Sequence, residues 1–129
     1  MQPFDLPSAW TAATQRYADT DNPTARFNVH LLEALRPRWE EAVRPDTSMF
    51  TLLFSRPNTT GYKADERVEV LLEAEGRVRM ALVRQVPRRN ESRPAGPVTV
   101  TGDYTEPQNA LPAVEALLHQ LSDLEPSGG

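Results

Sequence analysis

The sequence predicts an α+β fold, a two-layer sandwich of order αα-ββββ-α in which a four-stranded antiparallel meander carries its helices packed on one face. Three observations predict it. Apolar residues recur every three to four positions before Pro45 and again after Asn109. Between Met49 and Thr101 they recur every second position, the period of a strand. The twelve prolines fall mostly at the boundaries between these segments, where a missing N–H and a fixed φ end one element and start the next.

The first helix is expected over Pro7 to Ala18, with Trp10, Ala13, Tyr17 and Ala18 near one face. Asp19-Thr20-Asp21-Asn22 breaks it. Asn22 followed by Pro23 reads as an N-cap and first helical residue, because the amide oxygen can take an orphan N–H and proline has none to leave unpaired. The second helix then places Phe27, Leu31, Leu35, Trp39 and Val43 on one stripe, with Leu32 and Ala42 beside it. Pro37 should kink it or split it near Leu35, and Pro45 should end it.

Met49 to Ser55 reads as the first strand, with Phe50, Leu52 and Phe54 on one face and Met49, Thr51 and Leu53 on the other. The second and third strands form a hairpin whose register can be argued. A two-residue turn at Glu75-Gly76 would oppose Leu72 to Arg79 and mix both faces. A three-residue loop, 74–76, opposes Glu73 to Arg77, Leu72 to Val78 and Val70 to Met80, and puts Gly76 where this loop class needs a left-handed residue. One face then becomes uniformly apolar and the other carries Glu–Arg pairs. The fourth strand is expected over Pro97 to Thr101, with Val98 and Val100 on the core face and Thr99 and Thr101 outside. A last helix over about 108–123 holds Leu111, Val114, Leu117, Leu118, Leu121 and Leu124 on one stripe, with Pro112 in its first turn. Residues 125–129 read as a frayed tail, so 1–129 is one α+β domain.

Bulk chemistry narrows the function classes. The net charge of −4 argues against nucleic acid, whose phosphates demand basic surface. The absence of cysteine excludes disulfides, thiolate chemistry and the commonest zinc ligands. No apolar run approaches the ~18 residues of a membrane span, and Met1-Gln2-Pro3-Phe4-Asp5 has no basic region leading an apolar one, so a cytoplasmic location is expected. Thirteen of the fourteen basic residues are arginine, Lys63 being the exception, a usage that fits a GC-rich bacterial genome.

Few residues suggest chemistry. His30 and His119 each stand near one carboxylate, short of the ligands a zinc site needs and without a nucleophile for a triad. Asp19 to Asn22 resembles a calcium loop only superficially, since Pro23, Thr24 and His30 occupy the positions where ligands and glycine belong. Paired acids at Glu40-Glu41 and at Glu73 and Glu75 lack the apolar setting of a general acid. No catalytic residue, metal or cofactor is therefore expected.

Two features point to partners. Arg77, Arg79, Arg84, Arg88, Arg89 and Arg93 cluster within seventeen residues against the single acid Glu91. The outer sheet face mixes Met49, Thr51, Leu53, Leu71, Ala81 and Val83 among its charges, more apolar than a solvated face usually is, unless the first helix covers it through Trp10 and Tyr17. The size, acidity and helix-flanked sheet are broadly similar to small bacterial chaperones, adaptors and immunity proteins, an analogy of fold that assigns no residue. The expected function is a non-enzymatic protein-interaction module, most simply a homodimer, acting through Leu53, Leu71, Arg77, Arg79, Val83, Arg88, Arg89 and Arg93. The alternative is a domain binding a small anionic metabolite in a cavity between sheet and helices, lined by Trp39, Phe50, Phe54 and Met80.

Overall fold

Three helices cover one face of a five-stranded antiparallel sheet in the computed structural model, which describes residues 6–57, 66–73, 75–85 and 98–123, with residues 84, 85 and 98–103 described through their backbone alone. The order is α1 (Leu6–Ala18), α2 (Pro23–Trp39), β1 (Arg44–Ser48), β2 (Thr51–Ser55), β3 (Glu66–Leu72), β4 (Val78–Gln85), β5 (Val98–Thr105) and α3 (Ala110–Asp123). A 3-10 turn at Pro107–Asn109 leads into α3. The strands meander in sequence order, β1-β2-β3-β4-β5. The α+β two-layer sandwich is thus as expected, with one strand more.

The helix termini follow local chemistry. The Asn22 side chain accepts the Ala25 N–H at 2.8 Å and Pro23 opens α2. Pro37 does not split the helix, which runs on to Trp39. Proline deletes only one intrahelical bond, and two long-range contacts hold the last turn. Trp10 Nε1 donates to the carbonyls of Glu40 and Val43 at 3.1 and 3.2 Å, and Trp39 Nε1 donates to Glu115 Oε2 at 3.0 Å.

The β3–β4 register matches the derivation, with Leu72 opposite Val78, Val70 opposite Met80 and Val68 opposite Leu82. Glu73 N–H donates to the Arg77 carbonyl at 2.8 Å, and Gly76 has φ +88°, the left-handed conformation that glycine adopts without a Cβ clash. Alternate residues of β2, β3 and β4 therefore meet the helices. Leu52, Phe54, Val68, Val70, Val78, Met80 and Leu82 pack with Trp10, Leu32, Leu35, Val114, Leu118 and Leu121 into one buried cluster. The α1 helix lies against α2 and β1, and α3 lies over β3 and β4.

Three expectations need correction. Residues 44–48 form a strand, and Met49 and Phe50 are the two-residue turn joining it to β2, so Met49 is not a strand residue. The fourth expected strand continues through Gly102 to Thr105, because Gly102 pairs opposite Ala81 rather than turning the chain. Its register is offset by one from the expectation: Val98 and Val100 stand opposite Gln85 and Val83, and Thr101 stands opposite Leu82, the core-facing position of β4. Leu124 and the tail lie outside the described residues.

The edge strand β1 is protected. In a two-residue hairpin the flanking pair Ser48↔Thr51 is hydrogen bonded, which turns the backbone of Pro45 and Thr47 outward. Pro45 has no N–H, and the Thr47 N–H donates to Asp46 Oδ1 at 2.9 Å. Neither outward residue offers a free donor for another strand to pair with.

Candidate surface site

The described helices all pack on one side, and among the described residues no helix covers the other sheet face. Trp10 stands against Phe54, a core-face residue, with ring centroids 6.0 Å apart, which keeps α1 off that outer face. The outer face reads in rows across the strands, the row farthest from the β1–β2 turn holding Arg44, Ser55, Arg67 and Val83 and two others lying nearer the turn. Of those two, the first holds Ser48, Thr51, Leu71, Arg79 and Tyr104, and the second holds Asp46, Leu53, Glu69, Ala81 and Gly102.

The structure separates the expected partner-binding residues into three groups. Leu53 and Val83 are 2% and 6% exposed, outside the helix-side core cluster, and so form the floor of the face rather than its contact surface. Leu71 is half-buried and Arg77 and Arg79 are exposed, so these three can meet a partner directly. Arg88, Arg89 and Arg93, with the rest of the loop 86–97, lie outside the described residues, as does the side chain of Arg84.

The charges of this face pair differently from the directly opposite arrangement. Glu73 stands opposite Arg77, yet it pairs with Arg79 at 3.4 Å. Arg77 instead reaches Glu75 at 3.4 Å and places its guanidinium 4.7 Å from the centroid of the Tyr104 ring. Within β3, Arg67 pairs with Glu69 at 2.7 Å. Each exposed pair contributes at most about 1 kcal/mol, so together they set charge pattern more than stability. A shallow concavity of about 30 Å³ lies among Thr51, Glu69, Leu71, Arg79 and Ala81. That is room for a water, far below the roughly 300 Å³ at which small-molecule pockets begin, so the face suits side chains of another surface.

Residues missed by sequence reasoning complete the site. The exposed large apolar side chains among the described residues are Met49 at 78%, Phe50 at 37% and Tyr104 at 48%, and all three stand at the end of the sheet that carries Leu71. Tyr104 had no signal, since Gly102 read as the end of its strand. Met49 has φ 55°, a left-handed conformation that costs a non-glycine residue of order 1–3 kcal/mol.

Buried side chains from two helices hold that turn. Tyr17 Oη donates to the Met49 carbonyl at 2.6 Å, and Asn28 Nδ2 donates to the Phe50 carbonyl at 3.0 Å. Tyr17 and Phe50 also stack, centroids 6.0 Å apart. Burial pushes the Tyr17 hydroxyl above its ordinary value of 10.0, because the phenolate would lose its water. Asn28 is fully buried and its Oδ1 has no hydrogen-bond partner, a further cost of building the tip.

The remaining candidates do not converge. Trp39, Phe54 and Met80 are packed in the core, whereas Phe50 is at the hairpin tip, so the four do not line a common cavity. His30 is exposed on α2, and the His119 ring meets Trp39 edge-on at 4.8 Å. Asp21 pairs with Arg26 beside the α2 cap. Among the described residues no three His, Asp or Glu side chains gather as metal ligands, and no helix is long and apolar enough to cross a membrane. Compared with protein-family models, curated proteins and solved structures, the chain has no match.

Proposed function

We propose that this chain is a protein-interaction module, of the adaptor, chaperone-like or immunity kind, whose contact surface is the hairpin end of the helix-free sheet face. The observation that carries the reading is that Met49, Leu71 and Tyr104 stand along that end of the face, beside Arg77 and Arg79. Apolar side chains flanked by arginine and tyrosine are the composition of interface centres, where burial supplies the affinity and charge selects the partner. The concavity between them is too small for a metabolite, which favours a macromolecular partner.

The test is native mass spectrometry of the protein isolated gently from its own host, wild type beside Leu71→Glu. Wild type is expected in a dimer or a stoichiometric complex with another protein. The variant is expected as a folded monomer, since Leu71 is only half-buried. Association that survives Leu71→Glu, or a wild type that is monomeric, removes the reading.

A second reading has one observation in its favour. A groove of about 270 Å³ runs between α1 and β1, lined by Ala9, Ala12 and Pro45, with two arginines, Arg16 and Arg44, against one carboxylate, Asp46. A small anion fits its size and charge better than it fits the sheet face. A flat thermal-shift response across anionic metabolites would remove this reading.

A further inference from the structure

We infer that the occupant of the sheet face is a second copy of this chain, packed face to face about a twofold axis that runs parallel to the strands above β3. The inference rests on the sheet-face reading above and names its partner.

Met49 is held in a conformation that glycine, asparagine or aspartate adopts far more readily, with its carbonyl fixed by Tyr17 and the next by Asn28. The side chain buries little inside the molecule, being 78% exposed. A strained backbone that presents an apolar side chain to solvent is the kind of outlier from which a contact role is read.

The opposite end of the same row supplies a matching surface. Strands lie ~4.8 Å apart, so β1 and β5 flank β3 at ~10 Å on either side. The proposed axis exchanges β1 with β5 and β2 with β4. Met49 of each copy then meets Tyr104 of the other, a thioether against an exposed aromatic ring, which is a favourable pairing. Leu71 meets Leu71 on the axis. In the second row, Asp46 stands over Gly102, which has no side chain to obstruct the approach. The face carries both signs of charge, with Arg67 at 2.7 Å from Glu69 and Arg79 at 3.4 Å from Glu73, so it selects neither a strongly acidic nor a strongly basic partner. Glu69 meets its own copy near the axis, and its bond to Arg67 keeps that meeting close to neutral.

The area sets the strength. Five strands ~19 Å across and five residues long give a footprint on the order of 350 Å² per copy. That is below the ~800 Å² per partner of a standard interface, so the dimer is reversible and appears on concentration.

The experiment is light scattering on a dilution series of the purified protein, comparing wild type, Met49→Gly and Tyr104→Ser. Wild type is expected to pass from monomer to dimer with concentration. Met49→Gly should raise the dissociation constant about tenfold or more, while the Tm measured on the dilute monomer rises, because glycine accepts a positive φ freely. Tyr104→Ser should weaken the dimer likewise, which guards against an unexpected effect of the turn change. A wild type that stays monomeric at every concentration, or a Met49→Gly protein that dimerises as well as wild type, overturns the inference. If wild type is monomeric alone but leaves its host in a complex that Leu71→Glu disrupts, only the second-copy inference fails. If that complex also survives Leu71→Glu, the sheet-face reading fails with it.

Discussion

Glu66 is a charged residue on the core face of β3, and replacing it should expose how the sheet is tied to α3. Its side chain is 1% exposed and pairs with Arg56, which is 20% exposed and also donates to the Leu121 carbonyl near the end of α3 at 3.2 Å. Removing one partner of a buried pair typically costs 3–5 kcal/mol, because the other charge stays desolvated. Arg56 keeps some water and keeps the Leu121 carbonyl, so Glu66→Leu should fall near the low end, about 3 kcal/mol. Against a total of about 6–19 kcal/mol for 129 residues, that is a sizeable share, and it lowers Tm by roughly 10 °C. The double variant Arg56→Met with Glu66→Leu removes both charges and should recover to within about 1 kcal/mol of wild type. Urea unfolding followed by the fluorescence of Trp10 and Trp39, both buried, measures the four corners of the cycle. A single variant that costs less than about 1 kcal/mol, or a double variant no more stable than Glu66→Leu, would refute the argument that charge burial sets this energy.

The remaining predictions concern the hairpin tip. Asn28→Asp replaces the donor that meets the Phe50 carbonyl with a carboxylate buried among apolar side chains, and should destabilise by about 2–4 kcal/mol at neutral pH in urea titrations. Its deficit should shrink in acid, where a protonated carboxyl can donate again; a pH-independent deficit would show that volume rather than charge is responsible. The raised Tyr17 hydroxyl also makes a signed prediction. An acid whose folded-state value lies above its unfolded value contributes stability that is fully present below pH ~10 and is lost as pH rises through the folded value. Wild type should therefore lose stability above pH 10 more steeply than Tyr17→Phe. Parallel alkaline profiles would show that Tyr17 contributes nothing to that loss.

Where sequence and neighbours cooperate over a few residues, the fold was legible. The β3–β4 register followed from two alternating strands and one glycine, because only one loop length puts Val70 and Leu72 on the same face as Met80 and Val78. The α2 cap followed from Asn22 and Pro23 for the same local reason. The sites of disagreement depend on distant partners. Arg-Pro-Asp-Thr-Ser has the composition of a turn, and it is a strand because β2 pairs with it and Trp10 of α1 holds the carbonyl just before it. Pro37 interrupts no helix because Trp39 reaches across to Glu115 on α3.

The candidate site divides in the same way. Sequence alone determined that a mixed apolar and charged face exists and that Leu71, Arg77 and Arg79 belong to it, since strand alternation assigns faces from spacing. Only the tertiary structure decided which members are accessible, because exposure depends on what lies beside a residue in space. It sank Leu53 and Val83 into the floor and brought Tyr104 under Arg77. It also turned Met49 from a strand position into an exposed, left-handed turn, a conformation that exists because Tyr17 and Asn28, 32 and 22 residues from their acceptors, hold the turn's two carbonyls.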